Sequence, residues 1–144
     1  MQVEELLHSY FRKRQEVVLV YLFGSYVNPD RKLVHDIDIG LFVNPSIWEA
    51  LERDMPYGYG SFLSTELAHL LHFDGVDVAI LNNAPPLLLR RVIGTGKLIF
   101  RRSELDRVRF EVESLKRYSD TAQIRKIKKS YMQQRIKEGL SAYG

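Results

Sequence analysis

The sequence predicts an α/β fold in which a small sheet is flanked by helices and followed by a helical extension. Four short apolar runs, at 17–23, 37–43, 76–81 and 97–100, are typical of strands. The segment between the second and third runs is long enough, and helical enough in pattern, to form a crossover between two strands of one sheet. From residue 103 onward the apolar spacing is helical. At 144 residues, the chain fits one ordinary domain with a small appendage.

Helical spacing and capping residues set the boundaries of the other elements. The expected helices are, in chain order, 3–14, 46–54, 62–72, 85–94 or 85–96, one that begins at 103, and 121–138. Ser46 with Glu49, and Ser103 with Asp106, have the spacing of a helix capping box. Glycines and a proline predict a loop at 56–60.

The C-terminal extension carries most of the positive charge. Residues 1–100 hold 9 Lys and Arg against 12 Asp and Glu, and residues 101–144 hold 12 against 6, so their net charges are −3 and +6. Such a tail is typical of a protein that binds an anionic partner, although a solvated helix face has the same composition. The helix that begins at 103 has an apolar face formed by Leu105, Val108, Val112 and Leu115. The last helix has only a thin apolar seam, which indicates loose packing or a missing partner.

Composition and the amino terminus exclude several classes of protein. The chain has no cysteine, so disulfides, thiolate metal sites and cysteine nucleophiles are excluded, and any metal ion must bind oxygen or imidazole. The first 15 residues mix acidic and apolar side chains and contain no continuous apolar stretch of the kind that signal peptides and membrane spans require. We therefore expect a cytoplasmic protein.

Two carboxylates flank the first residue of the second strand. Side chains alternate between the faces of a strand, so Asp36 and Asp38 project to one side while Ile37 and Ile39 enter the core. Like charges so close together repel each other, which raises one pKa or requires a cation between them. Oxygen ligands without sulfur favour Mg²⁺ or Mn²⁺ over zinc. The sequence therefore predicts a metal site at the start of this strand.

Asp77 and the pair Gly24 and Ser25 extend the predicted site. Asp77 lies between two valines in the third strand, where a carboxylate is expected only if it faces something polar or charged. If the second and third strands are adjacent, the three carboxylates form a cradle for two metal ions. Gly24 permits a sharp turn after the first strand, and backbone N–H groups there suit nucleotide phosphates. Each feature alone is more often an ordinary turn, cap or surface residue, so the prediction depends on their joint order.

A motif that spans the first two strands resembles a known family. It consists of Leu22-Phe23-Gly24-Ser25, ten further residues and Asp36-Ile37-Asp38, and it is similar to the minimal nucleotidyltransferases of the DNA polymerase β superfamily. The likeness is to MntA-type antitoxins, which are encoded beside HepT-type HEPN toxins, and it covers essentially the whole chain. It implies a polymerase-β-like fold with a small mixed sheet, a nucleotidyltransferase core at 1–102 and a basic helical extension at 103–144.

The resemblance also implies a reaction, in which AMP moves from ATP to a tyrosine of the HepT ribonuclease and pyrophosphate is released. It implies that Gly24 and Ser25 bind the nucleotide and that Asp36 and Asp38 hold Mg²⁺. Asp77 completes the metal site and accepts the tyrosine proton in this scheme. The implied assembly is a hetero-oligomer with the toxin, and we interpret the basic tail as its docking surface. Direct binding of nucleic acid is not expected, because aromatic residues are not interleaved with the lysines of the tail.

This chain departs from the family pattern in the residues that would supply positive charge to the phosphates. Relatives commonly carry a small residue, an arginine and a glycine soon after the Gly-Ser pair, whereas residues 26–28 here are Tyr-Val-Asn. Arg31 or Lys32 is the expected substitute. Arg90 and Arg91, near the end of a predicted helix, are interpreted as complementing the helix dipole.

Two other functions stay open at this stage. One is an antitoxin that inhibits the toxin by binding alone, which the altered loop allows. The other is a nucleotidyltransferase that modifies small molecules, although its relatives usually carry a larger acceptor-binding domain than this chain can hold.

Overall fold

A four-stranded mixed sheet forms the centre of the fold. The computed structural model describes residues 2–28, residue 30 and residues 36–143. The strands of this part are β1 (Val17–Phe23), β2 (Ile37–Val43), β3 (Val76–Ile80) and β4 (Lys97–Arg101), in the order β3-β2-β1-β4. β1 is antiparallel to β2 and to β4, whereas β2 and β3 are parallel. The predicted α/β fold with a mixed sheet is confirmed, and every strand ends within one residue of its predicted boundary.

Helices precede, connect and follow the strands. Those in the described part of the chain are α1 (Val3–Arg12), α2 (Trp48–Asp54), α3 (Tyr59–Leu71), α4 (Pro86–Thr95), α5 (Glu104–Asp120) and α6 (Ala122–Tyr143). The prediction of a loop through residue 60 is wrong at its end, because α3 begins directly after Gly58, whose φ is +87°. Glu52 accepts a hydrogen bond from the Tyr59 N–H at 3.1 Å. Tyr59 is a core residue, 1% exposed, and its hydroxyl donates to Glu16 at 2.6 Å.

Different helices cover the two faces of the sheet. One set of alternating strand residues, which includes Leu22 and Ile39, packs against α1 and α3. The other set, which includes Tyr21, packs against α4 and α5, and Phe110 is the α5 residue that enters this second cluster. Because side chains alternate along β2, Asp38 belongs to the face covered by α4 and α5.

One of the two predicted capping boxes forms and the other does not. The Ser103 hydroxyl accepts a hydrogen bond from the Asp106 N–H at 3.1 Å and caps α5 as predicted. The box predicted at Ser46 is wrong, because α2 begins at Trp48 and the Ser46 hydroxyl donates to the side-chain oxygen of Asn44 at 2.8 Å. Asparagine side chains bind nearby donors in turns, and the Asn44 side chain accepts from both the N–H and the hydroxyl of Ser46. Ser46 therefore belongs to this turn, and Ile47 is the residue at the N-cap of α2.

The apolar face predicted for α5 exists, but it points away from the sheet. Phe110 and Ser114 lie on the other side of the helix and are buried. The exposed side carries four large apolar residues that are between 38% and 61% exposed, and we call them the C-terminal apolar face: Leu105, Val108, Val112 and Leu115. The helix therefore presents an apolar surface that this chain does not cover.

α6 is exposed along its described length. The residues of its predicted apolar seam, Ile124, Ile127 and Tyr131, are 54%, 59% and 59% exposed, in accord with the prediction of loose packing. None of the helices in the described ranges combines the length and the apolar composition needed to cross a bilayer.

Candidate active site

The carboxylates predicted from the sequence come together at one edge of the sheet. Asp38 is the second residue of β2, and it lies between Phe23 of β1 and Asp77 of β3. In a parallel pair, residues in register project to the same face, and neighbouring strands are about 4.8 Å apart. Asp36 comes immediately before β2. The second and third strands are thus adjacent, which is the condition on which the predicted three-carboxylate cradle depends.

The Asp38 carboxylate lies in an unfavourable electrostatic environment. Partial burial raises its pKa above the ordinary value, and the negative charges of Asp77 and then Asp36 raise it further. The positive charge of Arg91 lowers this pKa, and it is the smallest of the four effects. A cation placed among these carboxylates would therefore stabilise the ionised form of Asp38.

Gly24 is required by the turn and by the carboxylate beside it. It begins a one-turn 3₁₀ helix, Gly24–Val27, directly after β1, where the sequence predicts a sharp turn. Its φ of +72° lies in the left-handed region that glycine adopts at least cost. A Cβ on Gly24 would overlap Oδ2 of Asp38, so a larger residue could fit only by moving this carboxylate. The Ser25 hydroxyl donates to the backbone carbonyl of Asp36 at 3.4 Å, which links the turn to the start of β2.

The chemistry of the donor set fits a hard divalent cation. Asp36, Asp38 and Asp77 offer carboxylate oxygens, which Mg²⁺ prefers, and the pKa of Asp38 is raised first by burial and then by the negative charges of Asp77 and Asp36. Among the described residues, no three His, Asp or Glu side chains are already arranged to hold one metal ion in common. A shared ion would therefore have to draw the three side chains together.

Arg91 is the residue near this site that the sequence did not single out. Arg90 and Arg91 were both assigned to the dipole of α4, but of the two it is Arg91 whose charge acts on Asp38. No periodicity in the sequence separates these neighbours, because the packing of α4 over the sheet decides which of them faces the site. Arg31 and Lys32, the bases expected to serve the phosphates, lie outside the described residues.

A cavity of about 600 Å³ lies at the opposite end of the same sheet face. It separates the end of β2 from α5, and its walls include Phe42, Trp48 and Phe110. None of the predicted site residues lines it. The carboxylates therefore lie outside this cavity, at the other end of the sheet face.

A family model for polymerase beta nucleotidyltransferases matches residues 5–105 of the chain. The matched region is more than half of the 144 residues and contains all four strands and the three carboxylates. The chain therefore belongs to the polymerase beta nucleotidyltransferase family.

The chain is also similar to chains of solved toxin–antitoxin structures. A chain of a toxin–antitoxin crystal structure with AMP-PNP is 25% identical with a TM-score of 0.68, and the match covers 90% of this chain and 98% of that one. A chain of the MntA–HepT toxin–antitoxin structure is 25% identical with a TM-score of 0.61, covering 90% and 97%. A chain of the tri-AMPylated Shewanella oneidensis HEPN toxin in complex with MNT antitoxin is 26% identical with a TM-score of 0.62, covering 90% and 96%. No curated protein matches the sequence significantly. The resemblance to MntA-type antitoxins inferred from the sequence is confirmed.

Proposed function

We propose that this protein is an antitoxin that transfers AMP from ATP to a tyrosine of a HEPN-type ribonuclease toxin and thereby neutralises it. The observation that carries the proposal is the in-register pair Asp38 and Asp77 beside the Gly24 turn, in a chain of a nucleotidyltransferase family. The chain is also similar to one from a complex that contains a tri-AMPylated HEPN toxin. That likeness supports a protein as the acceptor of AMP.

Each site residue has its own part in the proposed reaction. Asp36, Asp38 and Asp77 would hold Mg²⁺, which would neutralise charge on the nucleotide phosphates. The backbone N–H groups of Gly24 and Ser25 bind the β- and γ-phosphates. The tyrosine oxygen bonds to the α-phosphorus, the bond from that phosphorus to the bridging oxygen breaks, and pyrophosphate leaves. Asp77 accepts the proton of the tyrosine hydroxyl; it is exposed and lies on the edge strand β3, where a side chain of a second protein can reach it.

The proposed activity is tested by the intact mass of the purified toxin after incubation with this protein, ATP and Mg²⁺. We expect a gain of one or more AMP units on tyrosine, located by peptide mapping. With α,β-methylene-ATP we expect no gain, because carbon replaces the bridging oxygen whose bond to the α-phosphorus must break. Inhibition of the toxin without added mass would contradict catalysis and leave inhibition by binding alone. Transfer of AMP to a small molecule but not to the toxin would contradict the protein acceptor.

The exposed apolar surface of α5 and α6 supports a protein partner. The C-terminal apolar face consists of four large side chains, and α6 adds Ile124, Ile127 and Tyr131, each more than half exposed. Lysines and arginines lie around them in the sequence. Exposed apolar surface rimmed by charge is typical of protein interaction sites. We propose that the toxin docks here with acidic groups opposite the basic rim, and the same surface favours the second candidate, an antitoxin that acts by binding alone.

Replacing Leu105 with glutamate is expected to weaken binding of the toxin at least about 10-fold, because a carboxylate would be buried against apolar surface without a partner. Leu87→Glu is a matched control: each leucine is the second residue of its helix, and Leu87 on α4 is 60% exposed against 57% for Leu105. Titration calorimetry measures the affinity, and thermal melting confirms that both variants fold. Equal weakening by both variants, or none with Leu105→Glu, would contradict docking on α5.

A further inference from the structure

We infer that Arg91 binds the phosphates of the nucleotide, so that α4 contributes positive charge to this site. The inference rests on the proposed function, since it assigns a further substrate-binding residue to the same site. It also supplies a base for a triphosphate where residues 26–28, directly after Ser25, carry none.

The second half of α4 is packed against the end of β1 that carries the site. Val92 is buried in the same apolar cluster as Phe23, the last residue of β1. Gly96, directly after the helix, lies so close to β1 that a Cβ there would come within 3.0 Å of the Leu22 carbonyl oxygen. Arg91 immediately precedes Val92 and is exposed. Arg91 thus lies on the helix that covers the face of the sheet to which Asp38 belongs.

The Arg91 guanidinium is available to a ligand. It forms no hydrogen bond and no ion pair with any residue of the described ranges. Lys97 lies at the same end of the sheet, but its ammonium is bonded to Glu4 of α1, on the other face, at 2.8 Å. Arg90 is directed elsewhere, with its guanidinium 5.9 Å from the centre of the Tyr118 ring. Of these three bases, Arg91 is the one left to meet an anion on the face of the carboxylates.

The charge of the site requires a cation of this kind. Asp36, Asp38 and Asp77 bring three negative charges, and a triphosphate adds several more. Phe23, which packs with Val92 of α4, is the β1 neighbour of Asp38 in register, so α4 lies over this end of the sheet. A guanidinium can bind two phosphate oxygens at once through parallel N–H groups, and such charge-assisted bonds are stronger than neutral ones. An arginine here favours a polyphosphate ligand over an uncharged nucleoside.

The test compares Arg91→Ala with Arg90→Ala, two identical truncations at neighbouring positions of one helix. Binding of α,β-methylene-ATP with Mg²⁺ is measured by titration calorimetry, and binding of adenosine by ligand-observed NMR. We expect Arg91→Ala to weaken binding of the triphosphate about 10- to 100-fold and to leave adenosine binding unchanged. Arg91→Lys is expected to recover part of the loss, because lysine keeps the charge but not the fork of N–H groups. Arg90→Ala is expected to bind both ligands like the parent protein.

Equal affinity of the Arg91→Ala and Arg90→Ala variants for the triphosphate would overturn the inference. So would an equal loss of adenosine binding, which would indicate a displaced helix and not a lost phosphate contact. The proposed function fails separately: a parent protein that binds the triphosphate but adds no AMP to the toxin contradicts AMP transfer and leaves the role of Arg91 intact. A parent protein that binds no triphosphate overturns both.

Discussion

Replacing Asp38 with asparagine is expected to abolish AMP transfer without destabilising the fold. The amide has nearly the shape of the carboxylate but cannot hold Mg²⁺ with a negative charge. Metal-ion stabilisation of the transition state is worth several kcal/mol, so a fall in rate of at least about 100-fold is expected. Asp36→Asn is expected to act in the same direction, because Asp36 contributes to the same negative cluster.

The expected stability of Asp38→Asn follows from the sign of its pKa shift. The pKa of the Asp38 carboxyl is higher in the folded state than its ordinary value of 3.8, so the protonated carboxyl stabilises the folded state. This stabilisation is lost as the pH rises from 3.8 through the raised pKa of the folded protein. At neutral pH the ionised Asp38 therefore opposes folding. The asparagine variant should melt at the same temperature as the parent protein or higher, and its melting temperature should fall less between pH 4 and pH 7.

Asp54→Asn provides the control for this experiment. Asp54 ends α2 with its side chain 74% exposed, and its ion pair with Arg53, at 3.9 Å, joins two exposed side chains. The rate of AMP transfer is expected to stay at the parent level in this variant. If Asp38→Asn kept full activity, or lost it only together with its folded structure, the assignment of Asp38 to the site would be wrong.

Replacing Gly24 with alanine is expected to have the second large effect. The new Cβ would overlap Oδ2 of Asp38, so the carboxylate must move from its position beside the turn. A displacement of about 1 Å in a catalytic group can cost about 100-fold in rate. The φ of +72° adds a backbone cost of about 1 kcal/mol or more for any residue with a Cβ. We therefore expect a loss of AMP transfer with a modest loss of melting temperature.

Gly139→Ala is the matched control for Gly24→Ala. Gly139 lies within α6, and a Cβ there would meet nothing within 4 Å. Alanine in a helix interior is favoured over glycine by about 0.5–1 kcal/mol, so this variant should retain activity and form α6 more readily. Equal losses of activity in the two variants would show that the Gly24 turn has no special relation to Asp38.

The strands and the site carboxylates could be predicted from the sequence because local patterns define them. β1 and β2 are short apolar runs bounded by polar residues or glycine, and both have their predicted ends. Because side chains alternate between the two faces of β2, the sequence alone places Asp38 on the face opposite Ile37 and Ile39. The partner of Asp38 could not be derived in this way, because its place beside Asp77 depends on the strand order that the α2 and α3 crossover produces.

The features that sequence reasoning missed depend on contacts between distant segments. Helix α5 has two faces, and the one with more apolar residues faces outward because Phe110 fits the cluster formed with Tyr21 on the sheet. Arg91 gains its relation to Asp38 only when α4 lies over the end of β1. In each case a local pattern permits two outcomes, and tertiary packing selects one.

The register of β2 and β3 bears on how readily the site can survive mutation. Backbone hydrogen bonds hold the two strands together, so the separation of Asp38 from Asp77 depends on main-chain pairing more than on the size of any core side chain. Conservative changes such as Ile39→Val should therefore lower the melting temperature and leave the spacing of the carboxylates intact. We expect the chemistry of this sheet edge to persist through considerable divergence of the core, while single changes at Gly24 remove it.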